Sequence, residues 1–295
     1  MLKTSVSQNR IELAVLGIFI LSLIMIFFFA VFITDSLNVY NLDILLPLII
    51  ITILLQKLRY RREWWELGLN IDATVRKNSL MSAGFVFLSV LIILVMYQLF
   101  TSGLNISHKY SGYDLSGILD YSTIILLMLI SVIIEELIFR GLAFQIIDDK
   151  FGKSAAIIIT STLFAAGHFW NPSLSVIGFM NIYLGGVLLA LMYIKSRSLY
   201  PQIIFHFGWN LSLAFIISSP VSGQNFGEGI FVSSNQNLSG FMYILLGGGF
   251  GLEEGLLTTV ILLMLIVFTA KYFEESPAVM ALRFQRKYTD FNRLC

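Results

Sequence analysis

Glu135, Glu136 and Arg140 stand in a stretch that otherwise reads as a membrane helix, after residues 121–134, which carry no charge. Ionised groups at bilayer depth cost about 3 kcal/mol each on insertion scales, so such residues must pair or do chemistry. Glu136 and Arg140 are spaced i, i+4 with the acid on the N-terminal side, the favourable order for a helical ion pair. Arg140 keeps its proton under all ordinary conditions, so the pair's expected role is support: it braces its helix and holds the site's shape. Glu135 projects about 100° away around the helix and has no partner in sequence, which leaves it as the general base. Two of the three histidines, His168 and His206, lie in other apolar runs. Asn210 follows His206 by four residues, so the two share a helix face. An imidazole and a carboxamide can both donate hydrogen bonds, and two donors aimed at one point form an oxyanion hole. His168, on a third run, could hold a water or a metal.

Each group also has a plainer reading. A buried Glu–Arg pair can be a clamp, a membrane histidine or asparagine can be an interhelical hydrogen bond, and neither need be chemical. Glu253 and Glu254 form a rival acidic pair, expected to cap the last helix at its positive dipole end. His108 falls in an outer loop and needs no role. Coincidence of depth sets these residues apart. With a rise of 1.5 Å per residue, Glu135 lies about 20 Å above the polar break at Asp148, His168 about 22 Å above Lys153, and His206 about 14 Å above Arg197.

The elements that must carry these residues follow from composition. The chain has 295 residues, 57% hydrophobic and 13% charged, too few charges for a soluble domain. The fold class is all-α: a polytopic membrane protein of about eight transmembrane helices with a polar cavity at mid-bilayer. The runs are 11–34, 39–56, 80–100, 121–147, 154–170, 174–194, 199–219 and 252–272. Residues 241–247 are apolar but too short to cross. Eight crossings place every one of the 19 Lys and Arg on one side, except Lys109 outside and Arg140 within a helix. By the positive-inside rule both termini are cytoplasmic. Trp64, Trp65 and Trp170 fall at expected interfaces, and residues 61–68 read as a short amphipathic piece on the cytoplasmic face. Three regions make one integrated domain: 1–119 with three helices, 120–219 with the candidate residues, and 220–295 with an outer Gly/Ser/Asn loop, the last helix and a basic tail. A net charge of +1 offers no case for a nucleic-acid partner. The single cysteine, Cys295, excludes a disulfide framework and a cysteine-based metal site.

Three motifs in order, Glu-Glu-x-x-x-Arg (135–140), Phe-x-x-x-His (164–168) and His-x-x-x-Asn (206–210), resemble the CPBP family. It comprises CAAX prenyl endopeptidases of the second type and the bacteriocin-processing and immunity (Abi) proteins. The resemblance covers residues 133–211. It implies an eight-helix intramembrane endopeptidase in which Glu135 and His168 activate water, His206 and Asn210 form the oxyanion hole, and Phe164 lines the pocket. The implied partners are membrane lipid and a membrane-associated or lipidated peptide. The family is named for metalloproteases. His-Glu-x-x-His is absent, but His168, His206 and Glu135 would suffice in number for a catalytic zinc, so glutamate-activated water and zinc both stand. Two other functions fit the same residues: a non-catalytic membrane immunity protein, and an ion-coupled transporter relaying protons through the acids and histidines.

Overall fold

A computed structural model of the chain describes residue 50 and residues 68–100, 104–106, 115–226, 229–233 and 240–281. The expected spans 11–34 and 39–56 (save Ile50), the amphipathic piece up to residue 67, His108, Lys109 and Cys295 lie outside the described residues.

The described helices are α1 (Ala73–Phe100), α2 (Leu115–Glu136), α3 (Gln145–Phe151), α4 (Lys153–Ala166), α5 (Val176–Ser196), α6 (Tyr200–Leu211), α7 (Phe241–Leu246) and α8 (Leu256–Tyr272). A π-helical segment, Leu137–Phe144, joins α2 to α3 without a break, and a second, Ser212–Ile216, extends α6. Sequence signals explain the ends. Asp72 accepts the Val75 N–H at 2.8 Å to cap α1, and Ser175 accepts the Gly178 N–H at 3.0 Å to cap α5. Gly152, at φ 84°, ends α3 and starts α4. Pro201 occupies the first turn of α6.

One departure from the helical expectation lies in the outer connections. β1 (Leu104–Ile106) pairs antiparallel with β2 (Phe231–Ser233), Asn105 opposite Val232. Both segments are rich in branched or aromatic residues, which favour extended backbone, and they join two connections that read separately as loops.

The chain is an integral membrane protein. Ala73–Phe100, Tyr121–Phe151 and Val176–Ser196 are long and apolar enough to cross a bilayer. Lys153–Ala166 and Leu256–Tyr272 are apolar but shorter. The surface agrees with this. The buried face of α1 includes Asn78, Ser82 and Ser89, while Leu80, Phe87, Leu91 and Leu99 are exposed. Large apolar side chains turned outward, with the polar ones buried beside Val75, Val90, Ile93 and Tyr97, suit lipid outside and protein within. The buried hydroxyls bond back along their own helix, Ser82 to the Asn78 carbonyl at 3.1 Å and Ser89 to the Phe85 carbonyl at 2.7 Å.

α5 is the central element, packed by α4 on one side and α8 on another, while α6 packs along α1 and against α2. Gly186 makes the α4–α5 approach possible: a Cβ there would sit 3.0 Å from both Cα and Cβ of Ser161. Charges gather at one end of this bundle. Arg197 pairs with Asp148, Lys77 pairs with Glu274, and Ser276 donates its N–H to the Lys195 carbonyl at 2.9 Å.

Candidate active site

The site is built where the end of α2 and the π-helical segment after it, the end of α4 with the turn that follows it, and α6 meet. A π-helical turn inserts an extra residue into the helical ladder and commonly marks functional positions. Here it begins directly after Glu136 and contains Arg140. Arg140 Nη1 donates to Glu136 Oε1 at 2.9 Å, with both side chains fully buried. Its Nη2 donates to the Gly186 carbonyl at 3.1 Å, and its guanidinium lies 4.8 Å from the centre of the Phe164 ring. Arg140 thus ties the glutamate-bearing helix to α4 and α5 at once.

Glu136 has a second partner. His206 Nδ1 donates to Glu136 Oε1 at 3.0 Å, which fixes the ring's orientation and leaves Nε2 free for chemistry. That Nε2 lies 3.9 Å from Glu135 Oε2. Glu135 accepts a hydrogen bond from Ser131 at 3.1 Å through its other oxygen, while Oε2 is buried with no protein partner. Ser131, one turn before Glu135 on the same face, is a partner the sequence reading missed.

Among the described residues no hydrogen bond or ion pair joins His168 to Glu135 or Glu136. Its Nδ1 donates to the Phe164 carbonyl at 2.9 Å, so its Nε2 is the available atom. Phe164 is the wall between the histidines, its ring centre 5.1 Å from that of His168 and 5.8 Å from that of His206. His168, His206, Asn210 and Phe164 line one cavity. The Asn210 carboxamide makes no hydrogen bond with other protein groups among the described residues.

Residues 118–212 match the family model described as type II CAAX prenyl endopeptidase Rce1-like. The family resemblance read from the three motifs holds for the segment that carries them. No curated protein matches the chain. The CAAX endopeptidase match ends two residues after Asn210, yet the cavity does not end there.

Asn181, Ser222 and Glu253 also line it, and the sequence reading missed the first two. Asn181 carried a signal, an amide in the middle of an apolar run. Glu253 and Glu254 were expected to cap the last helix, and this needs correcting. α8 begins later, at Leu256, with Gly255 as its N-cap and no side-chain cap. Glu254 instead accepts the Gly248 and Phe250 N–H groups at 2.8 and 3.0 Å, folding the glycine-rich turn. Glu253 faces the cavity and accepts from Ser222 and Trp209.

The donor set also bears on zinc. Among the described residues no three His, Cys, Asp or Glu side chains are placed to hold a metal together. Both histidines donate Nδ1–H to a protein acceptor and keep Nε2 available.

Proposed function

We propose that this protein is an intramembrane endopeptidase that hydrolyses a peptide bond of a membrane-associated substrate, lipidated in the prenylated CAAX manner or of the bacteriocin type. The observation that carries the reading is the contact across α2 and α6. Glu135 Oε2, a buried acceptor without a hydrogen-bond partner, faces at 3.9 Å the Nε2 of His206, which lines the cavity. The two oxygens on a tetrahedral carbon need neighbouring sites of opposite character, an acceptor for the water's proton and a donor for the oxyanion.

The hydrogen bonds around the histidines suit unlike roles. His168 spends its Nδ1–H on the Phe164 carbonyl, so as a neutral ring its Nε2 accepts. A water donating to Glu135 and to His168 turns a lone pair toward the substrate. His206 spends its Nδ1–H on Glu136, so it donates from Nε2 only as the cation. Two carboxylates and one guanidinium surround it, and a second proton on His206 leaves the cluster neutral. Its Nε2–H and the Asn210 amide then hold the oxyanion. Glu135 takes the water's proton as the C–O bond forms and passes it to the amine nitrogen as the C–N bond breaks. Glu136 and Arg140 hold the frame.

Both termini are assigned to the cytoplasm. Support comes from the basic residues Lys77, Lys195 and Arg197, which ion pairs and a hydrogen bond link to the segment after α8 and to the end of α3. Residues 120–219 form the catalytic core, with the flanking regions integrated around it.

The test is cleavage of a lipidated, membrane-inserted peptide by the purified chain in liposomes. Glu135→Ala, His168→Ala and His206→Ala are expected to abolish cleavage while accumulating in membranes at wild-type levels. Asn210→Ala is expected to lower kcat by about 100-fold with little change in KM. Cleavage at the wild-type rate by Glu135→Ala would overturn the reading and favour a non-catalytic role.

A further inference from the structure

Glu253 belongs to none of the three motifs and lies beyond the segment that matches the peptidase family. It nevertheless sits on the cavity wall. Three donors converge on it: the Ser222 N–H and the Ser222 hydroxyl, the latter at 3.1 Å, reach Oε2, and Trp209 Nε1 reaches Oε1 at 3.4 Å. Among the described residues no lysine or arginine pairs with it. Only a carboxylate accepts at both ends. A glutamine would turn an NH₂ toward one of the donors.

These bonds continue to both walls of the site. Asn171 Nδ2 donates to the Ser222 carbonyl at 2.9 Å, and the Asn171 N–H donates to the His168 carbonyl at 3.0 Å. On the other side Trp209 is the immediate neighbour of Asn210 in α6. Behind Glu253, Asn181 donates to the Glu253 and Gly255 carbonyls at 2.8 and 3.0 Å and accepts from the Thr259 hydroxyl at 2.7 Å. Ser222 itself is held at φ 49°, a left-handed conformation that a serine adopts only when its surroundings fix it.

We infer that Glu253 is a positioning residue of the hydrolytic site. It fixes the His168 turn through Ser222 and Asn171, and the Asn210 turn of α6 through Trp209. The inference rests on the peptidase reading and adds a fourth element to a site otherwise drawn from three motifs.

The experiment uses the full chain in liposomes carrying Glu253→Gln, alone and combined with Asn171→Ala. The expected result is a fall in kcat of about tenfold or more, because a small misplacement of a catalytic group is costly, with KM within about twofold. Asn171→Ala should cost several-fold alone and almost nothing further in the Glu253→Gln background. A second readout is independent of cleavage: diethyl pyrocarbonate modification of His168, followed by mass spectrometry, should quicken several-fold in Glu253→Gln. Unchanged kcat with unchanged His168 modification would overturn the inference. So would equal losses of kcat and thermal stability with His168 modification unchanged, which is the mark of a merely structural residue. Faster His168 modification in a chain that cleaves nothing would support the positioning and count against the peptidase reading alone.

Discussion

Glu136 is wholly buried between Arg140 and His206, whereas Glu135, one position earlier, keeps 29% of its side chain open. One residue step turns a helical side chain by about 100°, enough to bury one of two identical acids and leave the other partly open. The division makes a prediction about stability. Arg140→Ala leaves Glu136 buried without its guanidinium partner and should destabilise the protein by about 3–5 kcal/mol, or prevent its accumulation. Glu135→Gln should melt within a few degrees of wild type. Thermal melting in detergent checks both, and a wild-type melting curve for Arg140→Ala would refute the frame role. At this scale the sequence was legible where partners were local. The Glu136–Arg140 pair follows from i, i+4 spacing. The His206–Glu136 bond joins residues 70 positions apart, and Glu253 meets Ser222 and Trp209 across loops. No helical period encodes such contacts. Glu253 was misread because an acid just before a helix is ordinarily a cap.

The helices were legible as apolar runs, but their ends were set by local chemistry that hydropathy does not report. The run 154–170 is helical only to Ala166, because the chain turns through residues 167–173 toward Ser175. The last helix starts four residues later than the run, after the glutamates fold back on the glycine-rich turn. The π-helical segment has no signature in composition, yet it carries Arg140 into the interior. Gly186 is the element-scale counterpart of these residues, since α4 crosses α5 over it and its carbonyl receives Arg140. Gly186→Ala should cost about 1–3 kcal/mol by overpacking against Ser161. Gly185→Ala, where a Cβ meets nothing within 4 Å, should be near neutral in stability. Equal melting temperatures for the two variants would contradict the close approach.

For the whole molecule, composition alone pointed to the membrane, and the apolar outer face of α1, with Leu80, Phe87, Leu91 and Leu99 exposed, agrees. The pairing of β1 with β2 was not legible, because two three-residue segments more than a hundred residues apart carry no period to read. Sidedness yields a prediction. With Cys295 replaced by serine, Lys150→Cys and Glu275→Cys should react with a membrane-impermeant maleimide only from the cytoplasmic side, and Asn225→Cys only from the other. Labelling of all three from one side would refute the arrangement. The central claim concerns water activated at Glu135, and single-turnover cleavage of a lipidated peptide by Glu135→Gln in liposomes tests it most directly. The account predicts a fall in the chemical rate of about a thousandfold, with substrate binding and melting temperature retained. A folded Glu135→Gln protein that cleaves within about twofold of the wild-type rate would contradict it.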